Sequence, residues 1–402
     1  MSSIAVYVHF PFCLSICPYC DFDRQATGFG RVDAYLAAVE RELCQYSSRG
    51  ADERVHSIFF GGGTPSLMRP EQVARLLDAI AATWRVEPGS GSGSGEDVEV
   101  TLECNPGDAD LDKLRAFRDA GVNRLSIGVQ SLDDAFLARL GRRHSSATAR
   151  QAARWAQQAG FRTSLDFMFG LPGQSVAHWA ETLDQAVELG PDHLSCYLLT
   201  VDERVPMGRD VARGRLVLPE EDALVAMYEL TRERLAAAGF EQYEISNWAR
   251  PGQACRHNLT YWRDGAWIGV GAGAASSHTG RRWKNTPALE RYISSVERTG
   301  RAACAEDEQP DVESRMLDFL ALGLRLREGV RLAVFRDRFG RELRDVLGAT
   351  GDWLLENGLL ELSADDQSSL RIPAAHQLVT NEVLVRLDQA LRDTSVSHSA
   401  AR

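Results

Sequence analysis

The chain has 402 residues, enough for two or three domains with ample cores. Its formal net charge of −11 argues against a broad nucleic-acid surface, which needs clustered Lys and Arg. No apolar run approaches the length of a membrane span. Met1–Phe10 is apolar but short and lacks the basic start and cleavage site of a signal peptide, so a cytoplasmic protein is expected.

In chain order, short apolar strands alternate with amphipathic helices. Strands are expected at Ile4–His9, Val55–Phe60, Val98–Glu103, Arg124–Val129, Thr163–Phe169 and His193–Leu199. Helices are expected at Val32–Tyr46, Pro70–Trp84, Ala109–Ala120, Ala147–Gln158 and Val176–Leu189, several of them ending at a glycine. Strand and helix in this order imply a parallel sheet, either a partial (β/α) barrel or an open doubly wound sheet. The segment from Pro88 to Gly95 alternates Gly and Ser and reads as a flexible surface loop. Past residue 200 the pattern changes to a long helix at Pro219–Ala238, a strand at Phe240–Ser246, and a Gly/Ala-rich strand and turn at Ala266–Ser277. A boundary is expected near Gln309-Pro310. Beyond it lie helices at Val312–Leu326, Leu332–Phe339 and Arg341–Asn357, strands at Leu359–Ser363 and Ser369–Pro373, and a last helix from Thr380. Three helices and a hairpin resemble a winged helix, here a packing module because acidic residues outnumber basic ones. The expected domains are therefore 1–215, an extension 216–309, and a C-terminal domain 310–395.

Eight cysteines in so long a chain do not make a disulfide scaffold. Cys44, Cys104, Cys196 and Cys304 are scattered and read as small buried hydrophobes. Cys13, Cys17 and Cys20 differ: they stand at CxxxCxxC spacing in the loop directly after the first strand. Three thiolates from one loop suit a 4Fe-4S cluster with one iron left open, to which an amine and carboxylate such as methionine's can bind. Such a cluster can break the sulfonium C–S bond of S-adenosylmethionine by one-electron chemistry. A zinc site completed by a distant residue, or three incidental thiols, are the alternatives that spacing alone leaves open.

The strand ends add weight. Gly61-Gly62-Gly63-Thr64 closes the second strand, Glu103 the third and Gln130 the fourth, while Asp166 lies on the fifth. Strands of a covered parallel sheet should be apolar, so polar residues at successive ends outline a polar ligand site.

These residues resemble the radical-SAM family of oxygen-independent coproporphyrinogen III oxidases and their relatives, over nearly the whole chain. The resemblance implies a partial (β/α) barrel with a small C-terminal domain. It places Tyr7, Tyr19, Gly62, Gly63, Thr64, Glu103, Gln130, Arg142 and Asp166 at positions that contact S-adenosylmethionine. Asp166 would suit the ribose hydroxyls and Arg142 the carboxylate. The oxidases resemble CxxxCxxCxC, whereas Phe22 stands here in place of the fourth cysteine, and only twelve residues precede Cys13. The haem-chaperone branch resembles this chain in Cys17-Pro-Tyr-Cys-Asp-Phe22 and in HNxxYW, intact as His257-Asn-Leu-Thr-Tyr-Trp262.

The expected function is therefore haem binding and transfer to an acceptor protein, supported by the cluster and S-adenosylmethionine. His257 is the candidate ligand of haem iron, Tyr261 and Trp262 would pack on the porphyrin, and Cys255 is a second ligand or attachment point. The expected partners are haem, an acceptor protein and an electron donor, with transient membrane contact and no nucleic acid. The alternative is the oxidase itself, a radical decarboxylation of coproporphyrinogen III.

Overall fold

The computed structural model describes residues 3–47, 52–86, 98–363 and 367–399. The Gly/Ser segment 88–95 lies outside the described residues. The chain forms two units. The first comprises Met1–Glu241, Trp248–His257 and Ala266–Glu308; the second comprises Gln242–Asn247, Asn258–Gly265 and Gln309–Arg402. The region expected as one extension, 216–309, is thus shared between them.

In the first unit the strands are β1 (Ser3–Phe10), β2 (Arg54–Gly62), β3 (Glu99–Cys104), β4 (Arg124–Gln130), β5 (Arg162–Phe169) and β6 (His193–Leu198). The helices between them are α1 (Val32–Cys44), α2 (Pro70–Thr83), α3 (Leu111–Asp119), α4 (Asp134–Arg139), α5 (Ser146–Gln158) and α6 (Val176–Glu188). The six strands are parallel and lie side by side in the order of the sequence. A doubly wound sheet reverses its strand order at a switch point; this one does not. Right-handed crossovers that always advance in one sense put every helix on one face and curl the sheet into a barrel wall. That decides between the two architectures left open by the sequence.

The wall is extended beyond β1 by β7 (Ala266–Val270), which pairs parallel to it from Ile4↔Ala266 to Val8↔Val270. Antiparallel β8 (Ala275–His278), β9 (Arg281–Asn285) and β10 (Cys304–Glu308) follow. The Gly/Ala-rich stretch is thus two strands about a turn rather than one.

Burial alternates near the carboxyl ends of the wall. Tyr7, Glu103, Ser126, Gly128, Gln130, Asp166 and Met168 are half-buried, whereas the residues between them are buried. With a period of two, the half-buried set shares one face. That face opens to solvent, and the face with the buried residues carries the helices.

The second unit has a core of Met316, Leu320, Leu324, Phe335, Leu354 and neighbours. Helices Val312–Gly323, Leu332–Phe339 and Leu343–Glu356 precede strands Glu361–Leu362 and Ser369–Arg371, with a final helix Thr380–Ser399. A further strand, Val330–Arg331, lies between the first two helices and pairs with Ser369–Leu370. The order helix, strand, two helices, hairpin is that of a winged helix. Among the described residues no helix is long and apolar enough to cross a membrane. Cys104 and Cys196 are buried as expected, but Cys44 and Cys304 are exposed, Cys304 because its strand forms the sheet edge.

Candidate cluster and cofactor site

The three thiols lie in a loop whose two ends are pinned together. Phe12 and Gln25 form a bridge: Cys13 N donates to Gln25 O (2.9 Å) and Gln25 N to Pro11 O (2.7 Å). Inside the loop, Cys20 N donates to Cys17 O (3.2 Å). His9 ties the loop to β1: its Nε2 meets Asp23 O at 2.7 Å and its Nδ1 meets Tyr7 Oη at 3.0 Å. Burial holds His9 below its ordinary pKa, against the raising effect of Asp23.

All three cysteines are free and partly exposed. Burial pushes the Cys13 and Cys20 thiols up, so positive charge must arrive with whatever binds them as thiolates. Two sulfurs already receive donors: Thr64 Oγ1 lies 3.5 Å from Cys13 Sγ, and Arg142 Nη1 3.7 Å from Cys17 Sγ. Among the described residues no three His, Cys, Asp or Glu side chains meet at one metal position. A cluster takes one thiolate per iron and does not ask its ligands to meet at a point. A pinned loop of three thiols with donors aimed at the sulfurs fits an iron–sulfur group.

The glycines at the end of β2 have a reason beyond the ligand. A Cβ on Gly63 would lie 2.8 Å from both Phe12 O and Pro11 C. One on Gly62, whose φ is 112°, would lie 2.5 Å from His9 Cε1. They let the thiol loop pass against the strand end. Their N–H groups are committed, Gly63 N to Phe10 O (2.8 Å) and Gly62 N to Glu103 Oε2 (3.1 Å).

Glu103 and Asp166 face the same opening. Burial and the charge of Asp166 push the Glu103 carboxyl up to about 8, against the Gly62 N–H. Asp166 is also held above its usual range by burial, although three hydroxyls offset it: Ser195 (2.7 Å), Ser126 (2.9 Å) and Ser164 (3.2 Å). Gln130 ends β4 with φ 65°, a left-handed conformation rare for a residue with a side chain. Such outliers gather at functional sites. Arg142 follows α4; its Nη2 donates to Gly128 O (2.9 Å) and to Asn105 Oδ1. Tyr19 packs against the cluster of Phe136, Leu140, Leu171 and Met207. The structure therefore brings Tyr7, Thr64, Glu103, Gln130 and Asp166 from consecutive strands, and Arg142 from the loop after α4, to one side of the wall beside the thiol loop. The sequence reading passed over Asn105, Ser126, Ser164 and Ser195. Ser126 and Ser164 could have been found by their period of two with Gly128 and Asp166.

The HNxxYW residues meet this site at Tyr7, beside the His257 ring. Helix Arg256–Trp262 carries them. His257 is buried in the first unit, with Nδ1 3.1 Å from Ser57 Oγ and its ring centroid 5.1 Å from Phe59 and 6.3 Å from Tyr7. Burial lowers its pKa to about 3. The ring packs inside the barrel wall, against Phe59 and Tyr7. Cys255 is buried too, its Sγ 3.5 Å from Glu99 Oε1, which also accepts from His257 N (3.1 Å). Glu99 begins β3 and Glu103 nearly ends it, a separation of roughly 13 Å along the strand. In the second unit, Asn258 Nδ2 donates to Tyr243 Oη (3.3 Å) and Arg325 lies over the Trp262 ring (5.9 Å).

Comparison with known proteins gives the family. Residues 7–186 match the Radical SAM superfamily, and residues 311–366 match the HemN C-terminal domain. The chain is 34% identical over 380 residues to "Heme chaperone HemW" of Bacillus subtilis, covering 94% of this chain and 97% of that one. It is 41% identical over 274 residues to the protein of that name from Escherichia coli, covering 67% and 69%. It is 37% identical over 407 residues to mouse "Radical S-adenosyl methionine domain-containing protein 1, mitochondrial", covering 97% and 88%. The solved structure of coproporphyrinogen III oxidase (HemN) from Escherichia coli shares its fold, with a TM-score of 0.80 at 22% identity over 96% of this chain and 90% of that one.

Proposed function

The chain belongs to the HemW family of radical-SAM proteins, and on that premise we propose that it is a haem chaperone, binding haem and passing it to an acceptor protein. The observation that carries this reading is likeness to haem chaperones over nearly the full length of both chains. Phe22 at the position of the oxidases' extra cysteine supports it. Cys13, Cys17 and Cys20 would hold a 4Fe-4S cluster. Tyr7, Tyr19, Gly62, Gly63, Thr64, Glu103, Gln130, Arg142 and Asp166 would hold S-adenosylmethionine. When bound, these groups supply one-electron chemistry at the sulfonium. The chain's own part is to pin the thiol loop, aim donors at its sulfurs and present two carboxyl groups to a cation. An electron donor and an acceptor protein are the implied partners.

His257 as ligand of haem iron carries a structural demand. Its neutral imidazole is the right form for ligation, but its ring reaches a macrocycle only if the helix bearing it moves. Haem titration of anaerobically reconstituted protein tests the whole reading. A Soret shift and transfer of haem to an apo-acceptor are expected. Porphyrin product from coproporphyrinogen III, with no haem uptake, would replace it with the oxidase reading. An unchanged Soret band in His257→Ala removes His257 from the haem site.

A further inference from the structure

Asn105 lies one residue past β3 and is not among the residues that would hold the cluster or S-adenosylmethionine, yet it joins the donors of two of the three thiols. Its side-chain Nδ2 donates to Thr64 Oγ1 (3.1 Å) and to Asp108 Oδ2 (3.1 Å), and its Oδ1 accepts from Arg142 Nη2. The orientation of the amide is fixed by chemistry: guanidinium has only donors, so the oxygen must face Arg142. Both N–H groups are then used on the other side. Because Thr64 Oγ1 accepts from Asn105, its one hydrogen is left for Cys13 Sγ, 3.5 Å away. Because Arg142 Nη2 is taken by Asn105 and Gly128, its Nη1 is left for Cys17 Sγ, 3.7 Å away. One amide thus aims a hydroxyl at one sulfur and a guanidinium at another. Hydrogen bonds to cluster sulfurs withdraw charge and are among the levers that set reduction potential.

We propose that Asn105 is a positioning residue of the iron–sulfur site: by orienting Thr64 toward Cys13 and Arg142 toward Cys17, it sets the reduction potential of the cluster. The proposal rests on the cluster reading of the three thiols. Four proteins beside the wild type test it: Asn105→Ala, Asn105→Asp, Thr64→Val and the double variant Asn105→Ala/Thr64→Val. Each is reconstituted anaerobically, its iron and sulfide are counted, and its midpoint potential is read by redox titration followed by electron paramagnetic resonance. A wild type that takes up no cluster refutes the site reading itself. With the wild type loaded, Asn105→Ala is expected to load and to shift to a more negative potential. Thr64→Val is expected to shift in the same direction, and the double variant to fall short of the sum. An unchanged potential in Asn105→Ala, or strict additivity, overturns the proposal. If Asn105→Ala takes up no iron, Asn105→Asp decides. Its carboxylate still accepts from Arg142 but draws the Thr64 hydrogen away from Cys13, so a potential at or above that of the wild type overturns the proposal. Loss of iron from both Asn105 variants while Thr64→Val loads normally makes Asn105 a structural residue of the loop, and also overturns it.

Discussion

Replacing Glu42 by Gln should change the pH dependence of stability. Glu42 projects from α1 into the interior and is buried. Its Oε2 accepts from Tyr292 Oη (2.6 Å) and Gly271 N (2.9 Å), and its Oε1 from Asn285 Nδ2 (2.7 Å). Burial raises its pKa from the ordinary 4.5 to about 7, and those three donors only partly offset the cost. The folded chain holds this proton more tightly than the unfolded chain does. Its contribution is therefore fully present below pH 4.5 and is lost as pH rises through 7. The whole difference is worth roughly 3 kcal/mol at ~1.4 kcal/mol per pH unit, and about 2.5 kcal/mol of it falls between pH 5 and pH 8. Gln keeps the two donors on one oxygen, but its amide forces Asn285 to turn and give up Gly271 O, an offset of about 1 kcal/mol that pH does not change. Urea unfolding of the iron-free protein, followed by tryptophan fluorescence from pH 5 to 8, should show the wild type losing about 2.5 kcal/mol relative to Glu42→Gln. Raised carboxyls such as Glu103 slope the same way in both proteins and cancel in the difference. Parallel stability curves for the two proteins would refute the reasoning, because a carboxyl that ionises normally when folded leaves no difference to remove.

Gly63→Ala sets a methyl 2.8 Å from the backbone at Pro11 and Phe12, so the thiol loop must shift; iron uptake should fall and stability drop by about 1–3 kcal/mol, while Gly107→Ala, with nothing within 4 Å, should match the wild type. Asp166→Ala takes the shared acceptor from Ser126, Ser164 and Ser195; S-adenosylmethionine affinity measured by calorimetry should fall ~10–100-fold, and unchanged affinity would remove Asp166 from the site. Glu99→Ala removes the carboxylate that Arg162 meets at 3.2 Å and that also accepts from the Cys255 thiol and the His257 N–H; it should cost about 3 kcal/mol in urea unfolding, and a loss under 1 kcal/mol would mean water replaces the carboxylate.

How far the sequence reaches depends on what each element needs from its neighbours. The six barrel strands are apolar runs bounded by glycine and by helices, so their ends were legible to within two residues. Arg281–Asn285 and Cys304–Glu308 carry no apolar alternation; the first is a strand because β8 offers an edge and the second because β9 then offers one, and those edges exist only in the folded sheet. Val330–Arg331 is two residues long, too short for any period, though it completes the winged helix. At the site, the thiols and strand-end polar residues stood out against an apolar background. Asn105 did not, because its partners Thr64 and Arg142 are 41 and 37 positions away.

The HNxxYW motif marks the limit of reading chemistry from spacing. On a helix, residues four apart share a face, so His257 goes with Tyr261 and Asn258 with Trp262. The two pairs point about 100° apart. The structure uses them so: His257 packs on Phe59 and Tyr7 in the first unit, while Asn258 bonds Tyr243 in the second. If haem takes His257, the Tyr7 ring loses a neighbour when the imidazole leaves. Tyr7 is also a proposed S-adenosylmethionine contact. Haem ligation by His257 and occupancy of the S-adenosylmethionine site would then be linked through one ring, each changing the other's affinity by the same factor. Titrating haem with and without S-adenosylmethionine measures that factor. A ratio of one, with His257→Ala still blocking haem uptake, would show that the imidazole leaves the barrel without disturbing Tyr7.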